Sequence, residues 1–387
     1  DTVNKEDNRI SGILNLAPFK ADGELPPLHL DLSVDRIALK SFEAFTTEYV
    51  TNSQGYFSGK VHVNDLMGAM NITGALKFND IAMKILMLDE TFRIPSAELL
   101  LNEDALVFHQ FEIIDEKDEK LTIGGQIGFR EFQDFRFDLR VKTDNFRALN
   151  SAAGSNDLFF GDLFLGVDLH ITGNPDLPVV TGTLKVNDKS RLTFMVPQLN
   201  PSLTDRTGIV EFVTPGVENK ALEIVPADSL TRSSVNGMDV GVNIVIDKNA
   251  ELSMVIDKVT GDYVKLKGEA LLSGGIDPSG KVSLTGRYKF HEGIYEMNVS
   301  LIQRKFAIRE GSYIQWTGDP LTAQMDITAI YEVKTAPLSL VESRLAGLTP
   351  EMRNRFMQRL PFETELRVSG ELTKPEVSFD IILADDD

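Results

Sequence analysis

Apolar and polar residues alternate with a period of two along most of this chain. Leu28, Leu30, Leu32 and Val34 do so in LHLDLSV, and Phe135, Phe137, Leu139 and Val141 do so in FRFDLRV. The same phase recurs in VGVNIVI (Val240, Val242, Ile244, Ile246) and in VSLTGRYKF (Val282, Leu284, Tyr288, Phe290). It recurs again in QMDITAIYEV, where Met325, Ile327, Ala329, Tyr331 and Val333 share one face. Successive strand side chains point to opposite faces, so each stretch predicts a strand with one apolar and one polar side. Polar breaks such as Gly173-Asn174-Pro175-Asp176 separate the stretches, as in an all-β protein.

One segment departs from this period. PLSLVESRLAGLTPEMRNRFMQRLPF, residues 337–362, places Leu345, Leu348, Met352, Phe356 and Leu360 at helical spacing. Thr349, Pro350 and Glu351 supply an N-cap, a first-turn proline and an early acid. The expectation is a short helical insertion near 337–360, hinged at Gly347 and carrying Arg353, Arg355 and Arg359.

Glycines recur in phase with the apolar faces. They stand at Gly59, Gly74, Gly182, Gly268, Gly286 and Gly370, each after Ser, Thr or Lys. The phase is explicit in Ile72-Gly74-Leu76, Val180-Gly182-Leu184, Leu284-Gly286-Tyr288 and Val368-Gly370-Leu372. Glycine weakens a strand unless the missing side chain is needed. Two readings follow. The glycines bend the strands so that the sheet curves, or they leave room on the apolar face for a guest. A curved sheet with an apolar concave face accommodates both.

Composition narrows the partners. The chain has 387 residues, 42% hydrophobic and 25% charged, with a net charge of −19. That balance permits a large core and argues against nucleic acid, which needs a basic footprint. It also argues against a polybasic contact with anionic lipid. The absence of cysteine removes disulfides, thiolate metal sites and cysteine nucleophiles. No segment is long and apolar enough for a membrane-spanning helix. The polar start DTVNKEDNRISG has no apolar signal core, and it reads as the interior of a longer protein.

Candidate chemistry is sparse. GIDPSGKV, residues 275–282, has phosphate-loop spacing, but Val282 replaces the hydroxyl residue and a strand follows in place of a helix. Asp277-Pro278-Ser279-Gly280 is better read as a hairpin turn. The five histidines, His29, His62, His109, His170 and His291, are far apart, without close metal-ligand spacing. No Gly-x-Ser-x-Gly elbow is present. The DEKDEK run at residues 115–120 reads as a charged loop. The expectation is a protein that is not an enzyme, with no cofactor and no metal.

GSYIQWTGDPLTAQMDITAIYEV, residues 311–333, resembles the signature of the TamB family of Gram-negative envelope proteins, within the AsmA-like group. The resemblance extends upstream through residues 255–298 and downstream through LPFETELRVSGELTKPEVSFDI, residues 360–381. GDLFLGVDLHITGNPDLPVVTGTLKVN, residues 161–187, resembles the start of the same C-terminal region. LHLDLSVDRIALKSFEAF, residues 28–45, is similar to the more generic AsmA-like repeats. The division this suggests is 1–155 as AsmA-like β-repeats and 156–387 as the TamB-type region, continuous with each other and truncated at both ends. Family members usually carry an inner-membrane anchor and further repeats, which this stretch lacks.

The resemblance implies a long sheet folded lengthwise into a trough with an apolar interior. It further implies a periplasmic protein that carries phospholipid between the inner and outer membranes and works with an outer-membrane barrel partner of the TamA type. The alternative role is a scaffold for β-barrel assembly, docking strands along an open sheet edge. For the conduit, the expected groove lining is Ile72, Leu76, Val180, Leu184, Leu284, Tyr288, Phe290, Ile327, Ala329, Tyr331, Val368 and Leu372. Gly286 and Gly370 are expected to widen it. Trp316, the only tryptophan, lies in phase with Ile314 and is expected to anchor the turn at Gly318-Asp319-Pro320.

Overall fold

The computed structural model describes residues 8–16, 28–64, 71–130, 133–155, 159–195, 237–257, 260–299, 302–336, 357–372 and 374–383. Its strands follow one another across a single sheet. β1 (Arg9–Leu16), β2 (Leu28–Ala38), β3 (Val50–Asn64), β4 (Asn71–Ile85) and β5 (Glu90–Asn102) each pair antiparallel with the next. β6 (Ala105–Ile114), β7 (Lys120–Arg130), β8 (Gln133–Ser151) and β9 (Phe159–Asn174) continue the meander.

The next strand is broken. β10 (Leu177–Val186) and β11 (Arg191–Met195) lie end to end along β9. β12 (Asp239–Ile246) and β13 (Glu251–Asp257) repeat the break and run parallel to them. β14 (Asp262–Ile276) spans both pieces antiparallel and pairs with β15 (Val282–Val299). β16 (Ile302–Ile308) and β17 (Tyr313–Gly318) again lie end to end, along β15. β18 (Gln324–Thr335), β19 (Leu360–Glu371) and β20 (Lys374–Leu383) complete the 20-stranded sheet.

The polar face carries cross-strand ion pairs, among them Lys142–Asp168 at 3.0 Å and Lys267–Glu292 at 3.0 Å. His170 meets Asp138 on the same side at 2.8 Å. The other face curls inward. Side chains of β13 and β20 line one cavity, although a flat sheet would hold those strands roughly 29 Å apart at about 4.8 Å per strand.

Glycine lets neighbouring strands approach closely. Gly182 has φ +139°, and a Cβ there would lie 2.1 Å from the Asp168 carbonyl oxygen on β9. Gly286 has φ +126°, and its Cβ would lie 2.4 Å from the Leu271 carbonyl oxygen on β14. Both positions let neighbouring backbone approach more closely than any other residue allows. The widening of a groove at Gly286 is therefore corrected: the neighbouring strand fills that space. Gly370, at φ +88°, pairs with Pro375 beside the β19–β20 turn and serves the turn.

The helical insertion foreseen near 337–360 falls mostly on residues outside those described. At its end, Leu360–Phe362 belong to β19, where Pro361 and the alternation of ETELRVSG favour strand. A four-residue helix not foreseen, α1 (Lys40–Glu43), follows β2. Between β14 and β15, Asp277 Oδ1 accepts from the Ser279 and Lys281 backbone N–H groups at 2.9 and 3.1 Å, and Gly280 has φ +80°. That stretch is the hairpin turn read from its sequence.

Candidate functional site

The apolar interior holds one buried cluster in each half of the sheet. In the first half that cluster is built on phenylalanines. Phe42, Phe57, Phe78 and Phe111 stand edge to face in a row, with centroid separations of 6.2, 5.1 and 4.9 Å. Phe111 packs with the buried Ile81 and Ile94, and Phe108, Met83 and Ile123 close around them. Edge-to-face rings of this kind fill space efficiently and favour fixed geometry.

In the second half the interior is partly open. Leu266, Ala270, Leu272, Tyr288, Phe290, Phe306, Ile308, Ile314, Met325, Ala329 and Leu366 form one buried cluster. Above it lies a cavity of about 540 Å³. β13 and β14 contribute Met254, Val264 and Leu266, β15 contributes Tyr295 and Met297, and β16 and β17 contribute Ile308 and Ile314. Met325, Ile327 and Ala329 come from β18, Leu366 and Val368 from β19, and Leu372 from the turn that follows. Pro375, Val377 and Phe379 of β20 complete the wall. Apart from the Tyr295 hydroxyl, the lining side chains are apolar.

β20 forms an open lip. Val377 and Phe379 are 54% and 62% exposed, and Ile381 and Leu383 continue the same face into solvent. The β19–β20 turn is pinned where the Leu372 N–H donates to the Ala323 carbonyl at 2.8 Å. Trp316 sits beneath the neighbouring turn. Its Nε1 donates to the Pro320 carbonyl at 3.2 Å, and its ring packs on the buried cluster. Asp319 caps a 3-10 turn (Pro320–Thr322) by accepting from the Leu321 N–H at 2.9 Å.

The predicted residues divide by depth. Ile327, Ala329, Val368 and Leu372 line the cavity. Tyr288 and Phe290 are buried in the cluster beneath it, and Leu284 and Tyr331 pack against that cluster half-buried. Ile72 and Leu76 on β4, and Val180 and Leu184 on β10, are half-buried and lie outside this cavity. Most of the wall was not foreseen as lining, Met254, Tyr295, Met297, Val377 and Phe379 among it. The alternation of PEVSFDI carries the signal for Val377 and Phe379.

Burial sets the electrostatics. The Tyr288 hydroxyl pKa is pushed up to about 12 by desolvation alone. Tyr295 is raised as well, first by burial and then by the Asp262 carboxylate. Both shifts mark a low-dielectric interior that disfavours charge. Among the described residues no group of His, Asp or Glu is placed to hold a metal ion. The cavity offers non-directional contact and little else.

The sequence profile of the TamB C-terminal domain matches residues 110–382. The chain belongs to the TamB family. No curated protein matches it. The matched stretch takes in every residue that lines the cavity. TamB membership carries a role in assembly and transport at the outer membrane and an association with the cell envelope. Among the described residues of this TamB chain, no helix is long and apolar enough to cross a membrane.

Proposed function

We propose that this part of TamB is a non-enzymatic lipid conduit in the periplasm, shielding phospholipid acyl chains between the inner and outer membranes. One observation carries the reading: a cavity of about 540 Å³ with an apolar wall, opening at β20. Exposing hydrocarbon to water costs about 0.8 kcal/mol per methylene, so a chain of roughly sixteen carbons meets a barrier on the order of 12 kcal/mol. An apolar wall removes most of that cost while the headgroup stays in water. Non-directional contacts allow acyl chains to slide with little specificity.

The test uses the sole tryptophan. Trp316 packs on the cluster that floors the cavity, so phospholipid with brominated acyl chains quenches its fluorescence when a chain enters. The expected result is saturable quenching, together with lipid recovered by mass spectrometry from purified protein. Ile327→Glu and Val368→Glu lose both. A folded wild-type protein with neither quenching nor extractable lipid sinks the conduit.

A second reading rests on β20, whose ten residues are all exposed. Strand addition there would serve an outer-membrane barrel partner of the TamA type. If charges at Ile327 and Val368 leave barrel assembly intact while a proline in β20 abolishes it, the scaffold replaces the conduit.

A further inference from the structure

The strand-end loops of the first half carry a patch that the groove does not explain. Phe45, Tyr49 and Met87 are 86%, 68% and 65% exposed, and Phe42 and Leu86 beside them are 47% and 40% exposed. The loop at 39–49 and the turn at 86–89 form one surface, because the Leu86 N–H donates to the Tyr49 carbonyl at 2.9 Å. The patch is rooted in the core through Phe42, which meets Phe57 edge to face. Contiguous exposed apolar surface on a folded protein marks an interaction site.

The rim around this patch is acidic. The Glu116 N–H donates to Glu90 Oε1 at 3.3 Å, which ties the turn at 115–119 to the same surface. The segments 39–49, 86–90 and 115–119 hold eight carboxylates and two lysines; Glu90 and Asp115 are buried, and the other six carboxylates lie nearer the surface. The neighbouring cations Lys84, Arg93 and Arg147 are paired with Asp89, Asp118 and Glu90. Strands added beyond β1 would extend the sheet sideways and leave its strand ends uncovered.

We propose that this tip docks a protein segment presenting apolar side chains flanked by Arg or Lys. Rings and thioether would cover the apolar residues, and the cations would meet Glu48 and Glu119. Arginine also stacks on exposed aromatic faces such as Tyr49. The acidic rim repels anionic headgroups, so the charge selects a protein partner over a bilayer surface.

The experiment titrates the whole chain with the fluorescein-labelled peptide LKKLLKLLKKLLKL, its acidic counterpart LEELLELLEELLEL, and vesicles of phosphatidylcholine and phosphatidylglycerol. The basic peptide binds saturably, and the acidic one binds at least tenfold more weakly. Phe45→Ser/Met87→Ser weakens the basic peptide at least tenfold without moving the urea midpoint, and Tyr49→Ser weakens it to a smaller degree. Equal binding of both peptides, no binding of either, or full binding by both variants overturns the proposal. Phe45-dependent flotation with the vesicles also overturns it and assigns the tip to a membrane.

Discussion

Arg147 on β8 places its Nε 2.9 Å from Glu90 Oε2 at the start of β5, across the two strands that separate them in the sheet. The same guanidinium reaches Glu116 at 2.8 Å, and the Arg147 N–H donates to Asp115 Oδ2 at 2.6 Å. One residue earlier, Phe146 stacks on Phe92 of β5 at 5.3 Å. Strands three places apart meet only because the sheet curls, and these contacts hold the curl shut in the first half.

Removing that cation should be costly. Glu90 is fully buried, and Arg147→Ala leaves its charge with no cation at that distance. The expected loss is about 3 kcal/mol or more, read from urea unfolding. Burial, opposed by Arg147, holds the Glu90 pKa above the ordinary carboxylate value. A raised acid favours the protonated form in the fold. Its contribution is therefore present below the unfolded pKa and is lost as pH rises through the folded one. The Arg147→Ala penalty should accordingly be larger at pH 7 than at pH 4; a penalty that stays flat contradicts the assignment.

Two glycines separate close approach from mere presence in a strand. Gly182→Ala forces a Cβ to within 2.1 Å of the Asp168 carbonyl at φ +139°, and destabilisation well above about 1 kcal/mol is expected. Gly241 on β12 has nothing within 4 Å of the same position. Gly241→Ala should be neutral or stabilising by about 0.5 kcal/mol, since it restricts the unfolded chain. Equal effects at the two sites would mean that close strand approach at Gly182 does not require glycine.

Tyr288 is buried to 3% exposure, and its hydroxyl has no hydrogen-bond partner among the described residues. An unsatisfied buried polar group costs about 1–3 kcal/mol. Tyr288→Phe keeps the ring against Phe290, 5.0 Å away, and deletes the unsatisfied oxygen. The urea midpoint should rise or hold. A clear fall would mean that the hydroxyl has a partner in solution.

The sequence disclosed faces and left depth undisclosed. Ile327, Ala329, Tyr288 and Phe290 all follow the period-two phase, which assigns them to the inner side. Phase does not say whether curvature then buries a residue, as at Phe290, or leaves it on a cavity wall, as at Ile327. Ile72 and Val180 share the phase but sit on strands outside this cavity. The parallel pairing of β10 with β12 was equally silent, because the break between β10 and β11 is held by long-range bonds. The Asn187 amide donates there to the Asp144 carbonyl at 2.8 Å. Phe45 and Tyr49 escaped because they lie in a loop without period, where patterning carries no signal.

The Phe111 cluster and the β20 lip predict opposite uncoupling of stability from guest binding. Phe111 is 6% exposed and wedged between Phe78 and Phe108, so Phe111→Ala opens a cavity and costs about 3 kcal/mol or more. It lies on β6, away from the strands of the groove, and acyl-chain quenching of Trp316 should persist wherever that variant stays folded. Val377 is 54% exposed on the lip, so Val377→Ser should shift stability by less than about 0.5 kcal/mol. The same change puts a hydroxyl on the cavity wall and should weaken quenching severalfold. Urea titration and Trp316 quenching on both variants decide the point. If Val377→Ser binds acyl chains as wild type does while Phe111→Ala, still folded, does not, the two halves are not separate in function and the conduit does not run along the β13–β20 groove.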